Sequence, residues 1–480
     1  MVRKCFFKVF NCLKNIRGIF NRNKRSKQLV LTGIVLFVTF SLALIVPSKI
    51  TETISNHLSQ NPSVVEKGER SNSDEWEIEW EYFHERVIGT THANWVEETS
   101  DGYILAGYSR GSVLDIDGIL VKVDENGEKE WSKGYPETGL DGSRFYCAKE
   151  TSDGGYIATG SNGELSFAGV YLWLVKTNAN GEKTWSQTYG KSMTSSTGRF
   201  IDQASTGGYI VVGDTKAYGA GGYDVWMIKT DSSGEIDWSY TYGSTKDDYA
   251  RCVKKTSDGG YIITGYYTTS SGDYNVFLLK IDRNGNFVWD NYWGGLGDDQ
   301  AKSVVETSDG GYLIAGTTRS YGSGGDDVWL IKTNANGNEV WKKTYGGTGS
   351  DSGSCVEETA DGGYMITGST NSSGSGGFDA WLIKTYANGS EEWSKTFGSS
   401  DDDYGRCVQQ TEDGNYIIAG NKGEKAWLAK ISYGVGDENI IEKYLIDNEL
   451  VMIGLIGLAV GLIVYSIIRK GKLEPEELGE

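Results

Sequence analysis

Proline and histidine are nearly absent from this chain of 480 residues, which has four prolines and three histidines. His57, His84 and His92 are too few and too scattered to build an imidazole-rich zinc centre. Cysteine is also sparse, at six residues, which excludes a scaffold framed by disulfides. Positive charge is scarce except at the start, where the first 27 residues carry nine Lys/Arg and no acid. The whole chain sums to −19, so residues 28–468 carry about −27. A body that acidic repels phosphate and excludes nucleic acid as a partner. Its charge suits solubility, cations or basic partners.

Glycine and aromatic residues are abundant, with 66 Gly, 29 Tyr and 15 Trp. That mixture, with little proline, implies many short strands joined by tight turns. Two uncharged runs stand apart from it, Leu29–Val46 closed by Pro47 and Leu450–Ile468. Each approaches the roughly 20 residues a helix needs to cross a bilayer. The first is read as an uncleaved anchor, because no small-residue cleavage site follows its long basic flank. Basic residues before Leu29, and Arg469, Lys470 and Lys472 after the second run, place both termini in the cytoplasm. The expected plan is a basic cytoplasmic segment 1–28, a span 29–47, a linker 48–75 and an extracellular body 76–432. A second linker 433–449, a span 450–468 and a cytoplasmic tail 469–480 follow. Gly457 and Gly461 in the second span are spaced for close packing of membrane helices.

The body is a repeat. Asp101-Gly-Tyr, Asp153-Gly-Gly-Tyr, Thr206-Gly-Gly-Tyr, Asp258-Gly-Gly-Tyr, Asp309-Gly-Gly-Tyr, Asp361-Gly-Gly-Tyr and Asp413-Gly-Asn-Tyr recur every 51 to 53 residues. One unit reads as strand A at Ala301–Glu306, B at Tyr312–Thr317, C at Val328–Thr333 and D at Glu339–Tyr345. Four short antiparallel strands per unit make a propeller blade. Strand D carries Trp131, Trp185, Trp238, Trp289, Trp341 and Trp393. The seventh unit ends after strand C. Its missing strand lies at the other end of the sequence, in Glu77–His84 with Trp80. The N-terminal strand therefore closes a seven-bladed ring and removes its exposed edges. Strand C carries a lysine in every unit: Lys122, Lys176, Lys229, Lys280, Lys332, Lys384 and Lys430. Each is expected to lay its stem on apolar surface and pair its tip with a carboxylate.

The segments Thr307-Ser-Asp-Gly-Gly-Tyr-Leu-Ile-Ala-Gly and Val328-Trp-Leu-Ile-Lys-Thr-Asn-Ala-Asn-Gly-Asn-Glu-Val-Trp resemble the tandem propeller repeats of bacterial and archaeal surface proteins. More distantly, the order of strand C, glycine turn and tryptophan is similar to quinoprotein-like blades. The resemblance implies the fold and a cell-surface setting. It carries no quinone activity here, because no adjacent-cysteine pair is present.

In an up-and-down blade the tight A–B and C–D turns share one face, and the longer B–C and D–A loops share the other. Both chain ends leave from the tight-turn face, so the long loops look away from the membrane. Those loops carry Asp224, Asp247, Asp248, Asp298, Asp299, Asp327, Asp351, Asp379 and Asp403. They are the candidate ligand residues, and carboxylates with loop carbonyls would suit calcium. The alternative is that each aspartate caps its own turn. Arg144, Arg199, Arg251 and Arg406 recur on strand A and suit a carboxylate ligand. Cys147, Cys252, Cys355 and Cys407 share one place on strand A with Trp95, Phe200 and Ser303. That exchange marks a packing position holding buried free thiols, with Cys355 and Cys407 the one pair in adjacent blades. The expected function is binding or adhesion to an extracellular protein or glycan, without catalysis and without a cofactor other than calcium. The alternatives are a sialidase-like glycosidase and a structural surface scaffold.

Overall fold

The computed structural model describes residues 75–434 apart from 86–88, 113–114, 137–141, 164–168 and 205–206. The basic segment, both apolar runs, most of both linkers and the C-terminal tail lie outside the described residues. Among the described residues, no helix is long and apolar enough to cross a membrane.

The described chain forms 28 strands in seven antiparallel sheets of four. Six sheets use four consecutive strands, labelled A to D. Blade 5 shows the pattern, with Asp299–Glu306, Tyr312–Thr318, Asp327–Thr333 and Glu339–Tyr345. Strand A of each blade touches strand A of the next, and the seventh touches the first. The fold is therefore an all-β, seven-bladed propeller with strand A innermost.

Blade 7 is composite, as expected. Its own strands are Asp403–Gln410, Tyr416–Lys422 and Lys425–Gly434, and Glu75–His84 adds the outer strand. Trp80 faces Lys430 in that ladder, as Trp341 faces Lys332 and Trp131 faces Lys122. Glu75 pairs with Gly434, so the two ends of the ring lie side by side.

Strands B and C are sandwiched between neighbouring blades, which accounts for their near-continuous β-branched and aromatic sequences. Strand C of blade 5, Asp-Val-Trp-Leu-Ile-Lys-Thr, is buried along its whole length. Strand D lies on the rim and is mostly exposed, but its tryptophan is half-buried. A side chain on Gly337, in the C–D turn of blade 5, would meet the Trp289 ring of blade 4 at 2.5 Å. The same seat joins Trp80 to Gly127, Trp131 to Gly181, Trp185 to Gly234, Trp238 to Gly285 and Trp341 to Gly389. In blade 7 strands C and D come from opposite ends of the ring, so no turn joins them, and there Trp76 stacks on Trp393 at 5.7 Å. These tryptophans are core between blades.

The strand C lysines behave as their position predicted. Lys122, Lys176, Lys280, Lys332, Lys384 and Lys430 reach Asp101, Asp153, Asp258, Asp309, Asp361 and Asp413 of their own A–B turns at 2.7–2.9 Å. Blade 3 has Thr206 in place of that aspartate, and Lys229 turns instead to Asp237 on strand D, at 2.8 Å.

Candidate functional site

The long B–C and D–A loops are rich in Gly and Ser, so many of their backbone N–H groups lack a ladder partner. Buried backbone donors must find acceptors, and the repeated aspartates supply them. Asp224 accepts from the Ala220 amide, Asp299 from Gly295, Asp327 from Ser323, Asp351 from Gly347 and Asp379 from Ser375, at 2.7–3.0 Å. Asp248 and Asp403 accept from the Ser244 and Ser399 amides in the same way. These seven carboxylates, expected to face outward, are buried. Asp247 and Asp298 are half-buried and accept from the Tyr223 and Tyr274 amides of the preceding loop. Burial and neighbouring carboxylates raise the pKa of Asp224, Asp248 and Asp327. Among the described residues, no group of three or more His, Cys, Asp or Glu is arranged to hold a metal ion.

The inner strands hold a different constellation. Every strand A slips register once against strand B, which is a β-bulge. The extra residue is Asn94, Tyr146, Arg199, Arg251, Lys302, Ser354 or Arg406 in blades 1 to 7. A bulge re-aims the side chain it inserts. Four of the seven inserted residues are cations, and they lie toward the long-loop end of strand A. Arg144 of blade 2 joins them one row nearer the loops.

Tyrosines line the same region. Arg144 lies over the Tyr108 ring at 5.4 Å, Arg199 over Tyr146 at 4.8 Å, Arg251 over Tyr266 at 4.8 Å and Arg406 over Tyr404 at 4.9 Å. Such cation–π contacts hold a guanidinium in place without neutralising it. Asp214 is the carboxylate set among these cations, and its Oδ2 takes both Arg199 Nε at 2.9 Å and Arg251 Nη1 at 3.2 Å. Lys302 donates to Ser352 Oγ at 2.7 Å, and Ser352 is within 2.9 Å of Thr317 Oγ1. Neither Lys302 nor Arg406 makes an ion pair among the described residues. Burial, with the charges of Arg406 and Arg251, brings the Lys302 amine down to about 8. Burial also lowers the Arg406 pKa, against the opposing effect of Tyr404 and Tyr108. His92 of blade 1 stacks on Tyr108 at 4.6 Å, and its pKa is lowered by burial and by Arg406, Arg110 and Arg144. The inserted cations stand on the innermost strands of successive blades, and with Arg144, His92 and the tyrosines they form a basic rim, the vestibule, around the axis toward the long-loop end.

One residue farther along strand A, the channel is plugged. Trp95 of blade 1 meets Phe200 of blade 3 edge-on at 4.8 Å, passing over the small Cys147 of blade 2. Cys147, Cys252, Cys355 and Cys407 occupy the same row as buried free thiols. Each donates to a carbonyl of the next blade, at Ile201, Val304, Val408 and Val96, over 3.4–3.8 Å. Burial pushes the Cys252 thiol up to about 11, so it stays protonated. Beneath the plug, Lys149 and Lys254 lie over the Trp95 ring at 5.0 and 5.6 Å. Lys149 pairs with Glu97, and burial lifts the Glu357 carboxyl to about 7.

The recurrent arginines were visible in the sequence. Lys302, His92 and the tyrosine walls were not singled out there. The available signal was that Arg199, Arg251, Lys302 and Arg406 each directly precede the shared Cys/aromatic/Ser position.

No protein-family model matches this chain, and no curated protein is similar to it. Among solved structures, it is similar to the WD40 domain of Neurospora crassa Pan2, with a TM-score of 0.48 and 9% identity over 75% of this chain and 96% of that one. It is also similar to the Hadza microbial sialidase Hz136, with a TM-score of 0.41 and 10% identity over 69% and 74% of the two chains. A glucose dehydrogenase gives 0.39 and 6% over 74% and 98%. Likeness at this level concerns the fold alone.

Proposed function

We propose that this protein is a membrane-tethered binding module. Its propeller is held outside the cell, and the channel vestibule on its long-loop face receives an acidic ligand. The observation that carries the reading is the concentration of positive charge in that vestibule. Arg144, Arg199, Arg251, Lys302 and Arg406 stand on the inner strands of a protein whose body is strongly acidic, and Asp214 pairs only with Arg199 and Arg251. Isolated like charges repel, and gathering them in one partly enclosed place costs stability unless an anion joins them. The acidic exterior supports the same reading by keeping non-specific polyanions away. The tether rests on the two uncharged runs and their basic flanks, and on the adjacent ends of the ring at Glu75 and Gly434.

The loop aspartates that first suggested a calcium-dependent surface are engaged with loop amides, so we place recognition in the vestibule instead. A glycosidase would need two carboxylates flanking the scissile bond. Asp214 is held by two arginines, and Glu357 lies beyond the Trp95 plug, so binding is the reading we adopt over catalysis.

The test is titration of the full-length protein with inorganic sulfate and phosphate, followed by calorimetry or thermal shift. Saturable binding that is weakened at least tenfold by R251Q or R406Q is expected. An absence of saturable anion binding at low ionic strength would overturn the reading.

A further inference from the structure

The other six blades show what each position ordinarily holds, and blade 4 departs from them around one seam. On strand C, the residue facing the strand B glycine is Trp173, Trp226, Trp329, Trp381 or Trp427 in blades 2, 3, 5, 6 and 7, and Ile119 in blade 1. Blade 4 has the smaller Phe277 there. Trp427 fills its seam against Phe397 of the preceding blade. Phe277 leaves its seam open, and a cavity of about 580 Å³ lies between blades 3 and 4.

Further departures line that cavity. Tyr292 on strand D stands where blades 2, 3, 5 and 6 place Thr188, Thr241, Thr344 and Thr396. Tyr267 on strand B faces Asp248, where Thr318 faces Asp299 in blade 5. The Tyr267 and Tyr292 rings meet edge to face at 5.0 Å, and Tyr242 of blade 3 adds a third aromatic wall. Asp248 and Asp290 also line the space, and among the described residues no lysine, arginine or histidine does. Asp290 accepts from the Tyr292 hydroxyl at 2.7 Å. Asp248 is 4% exposed. In blade 5 the Thr318 hydroxyl donates to Asp299, but Tyr267 offers no hydroxyl at that place. Asp248 keeps only the amide and hydroxyl of Ser244, although a carboxylate can accept about four hydrogen bonds. Burial raises its pKa, and the charge of Asp247 adds to the rise.

We infer that the seam between blades 3 and 4 binds a small primary amine, an ammonium group carried on an apolar body. The site is separate from the vestibule and does not depend on it. Asp248 and Asp290 supply the negative charge, and the tyrosine rings attract a cation through their faces. Phe277 takes the apolar body. Asp248 has acceptor positions left for N–H donors, which a quaternary ammonium lacks. Small-molecule pockets run from roughly 300 to 1,000 Å³, so this one suits a whole small ligand better than one side chain of a partner.

The full-length protein is titrated by calorimetry at pH 7 with phenethylamine, phenethyl alcohol, the trimethylammonium counterpart of the amine and a lysine-rich peptide. Phenethylamine is expected to bind saturably, and at least about tenfold more tightly than the neutral alcohol. D248N should lose at least about tenfold. F277W returns the tryptophan of five other blades and should abolish binding by filling the cavity. Y292T returns the threonine of four other blades at an exposed position and should weaken binding, which keeps the test open if F277W lowers the melting temperature. Equal affinity for the alcohol, or full affinity in both F277W and Y292T, would overturn the inference. Tighter binding of the trimethylammonium compound would overturn the choice of a primary amine. Binding of the peptide without phenethylamine would give the seam to a protein partner and overturn it as well.

Discussion

Lys332 Nζ lies 2.9 Å from Asp309 Oδ1, joining a lysine in the middle of a blade to the turn between its two inner strands. The lysine side chain is 4% exposed and the aspartate 65%. Lys332 also donates to the Thr333 carbonyl at 2.9 Å, while Thr307 Oγ1 and the Gly311 amide donate to Asp309 Oδ1 at 2.6 and 2.9 Å. One ion pair thus fixes both the turn and the strand register, and the sequence repeats it around the ring.

The two partners should respond differently to substitution. D309A leaves a buried ammonium with only carbonyl partners and should cost about 1–2 kcal/mol, reduced from the buried-pair range because the aspartate is solvated. K332M removes the charge while keeping the volume and should cost less. Urea unfolding of the two variants checks the order, and a larger loss for K332M would refute the account.

Acid should weaken the ring through these same turns. Burial pushes the Asp309 carboxyl up, but hydrogen bonds from Thr307, Lys332 and the Gly311 amide outweigh it and bring the pKa to about 2. Asp153, Asp258 and Asp361 also reach about 2. A carboxylate with a folded pKa below its unfolded value of about 4 stabilises the fold above that value. The contribution is lost as pH falls from about 4 to 2. The buried pairs run the other way, since Asp224 and Asp327 are raised and gain from protonation. Melting temperature followed from pH 6 to 2 should therefore hold steady first and fall below about pH 4. Asn in place of the four turn aspartates should flatten that fall.

Anion binding should decline with alkali. Lys302 is charged below about 8, and the groups that set this value are burial, Arg406, Arg251 and, in the opposite sense, Asp326. Affinity for a bound carboxylate should drop as pH rises through 8 to 9. K302R keeps its charge throughout and should give a flat profile. Calorimetry at four pH values distinguishes the two curves.

Gly337 should not tolerate a side chain. Its φ of +77° favours glycine, and a Cβ would meet Trp289 at 2.5 Å. G337A is expected to cost roughly 1–3 kcal/mol from backbone strain and displacement of the ring. Gly310 has a similar φ of +79° but open space around it, so G310A should cost less. Thermal unfolding of the pair separates steric from conformational cost.

Removing Trp95 should unplug the channel. W95A leaves Phe200, Lys149 and Lys254 without their shared ring, and a loss of about 2–4 kcal/mol is expected for a half-buried tryptophan. Chemical denaturation measures it, and a neutral result would mean that the plug does not support the core.

Much of this was legible in one dimension because the molecule is a repeat. A 52-residue period exposes equivalent positions without any alignment to other proteins. That is how Trp80 could be assigned to blade 7, how the strand C lysines could be given carboxylate partners, and how the cysteines could be read as packing residues. The aspartates Asp224, Asp299, Asp327, Asp351, Asp379 and Asp403 were equally periodic. Period alone could not show whether they pointed to solvent or inward to loop amides, because both choices repeat with the same spacing.

The sequence by itself determined the number of blades, the closure of the ring and the pairing that stabilises each blade. Those properties depend on contacts within a unit or between consecutive units, and such contacts recur with the period. Only the tertiary structure decided what surrounds the axis. Trp95 and Phe200 lie about a hundred residues apart in the sequence and meet across another blade. Their meeting depends on the bulge that turns each inner strand and on the angle at which seven blades close, and neither has a signature in any single repeat.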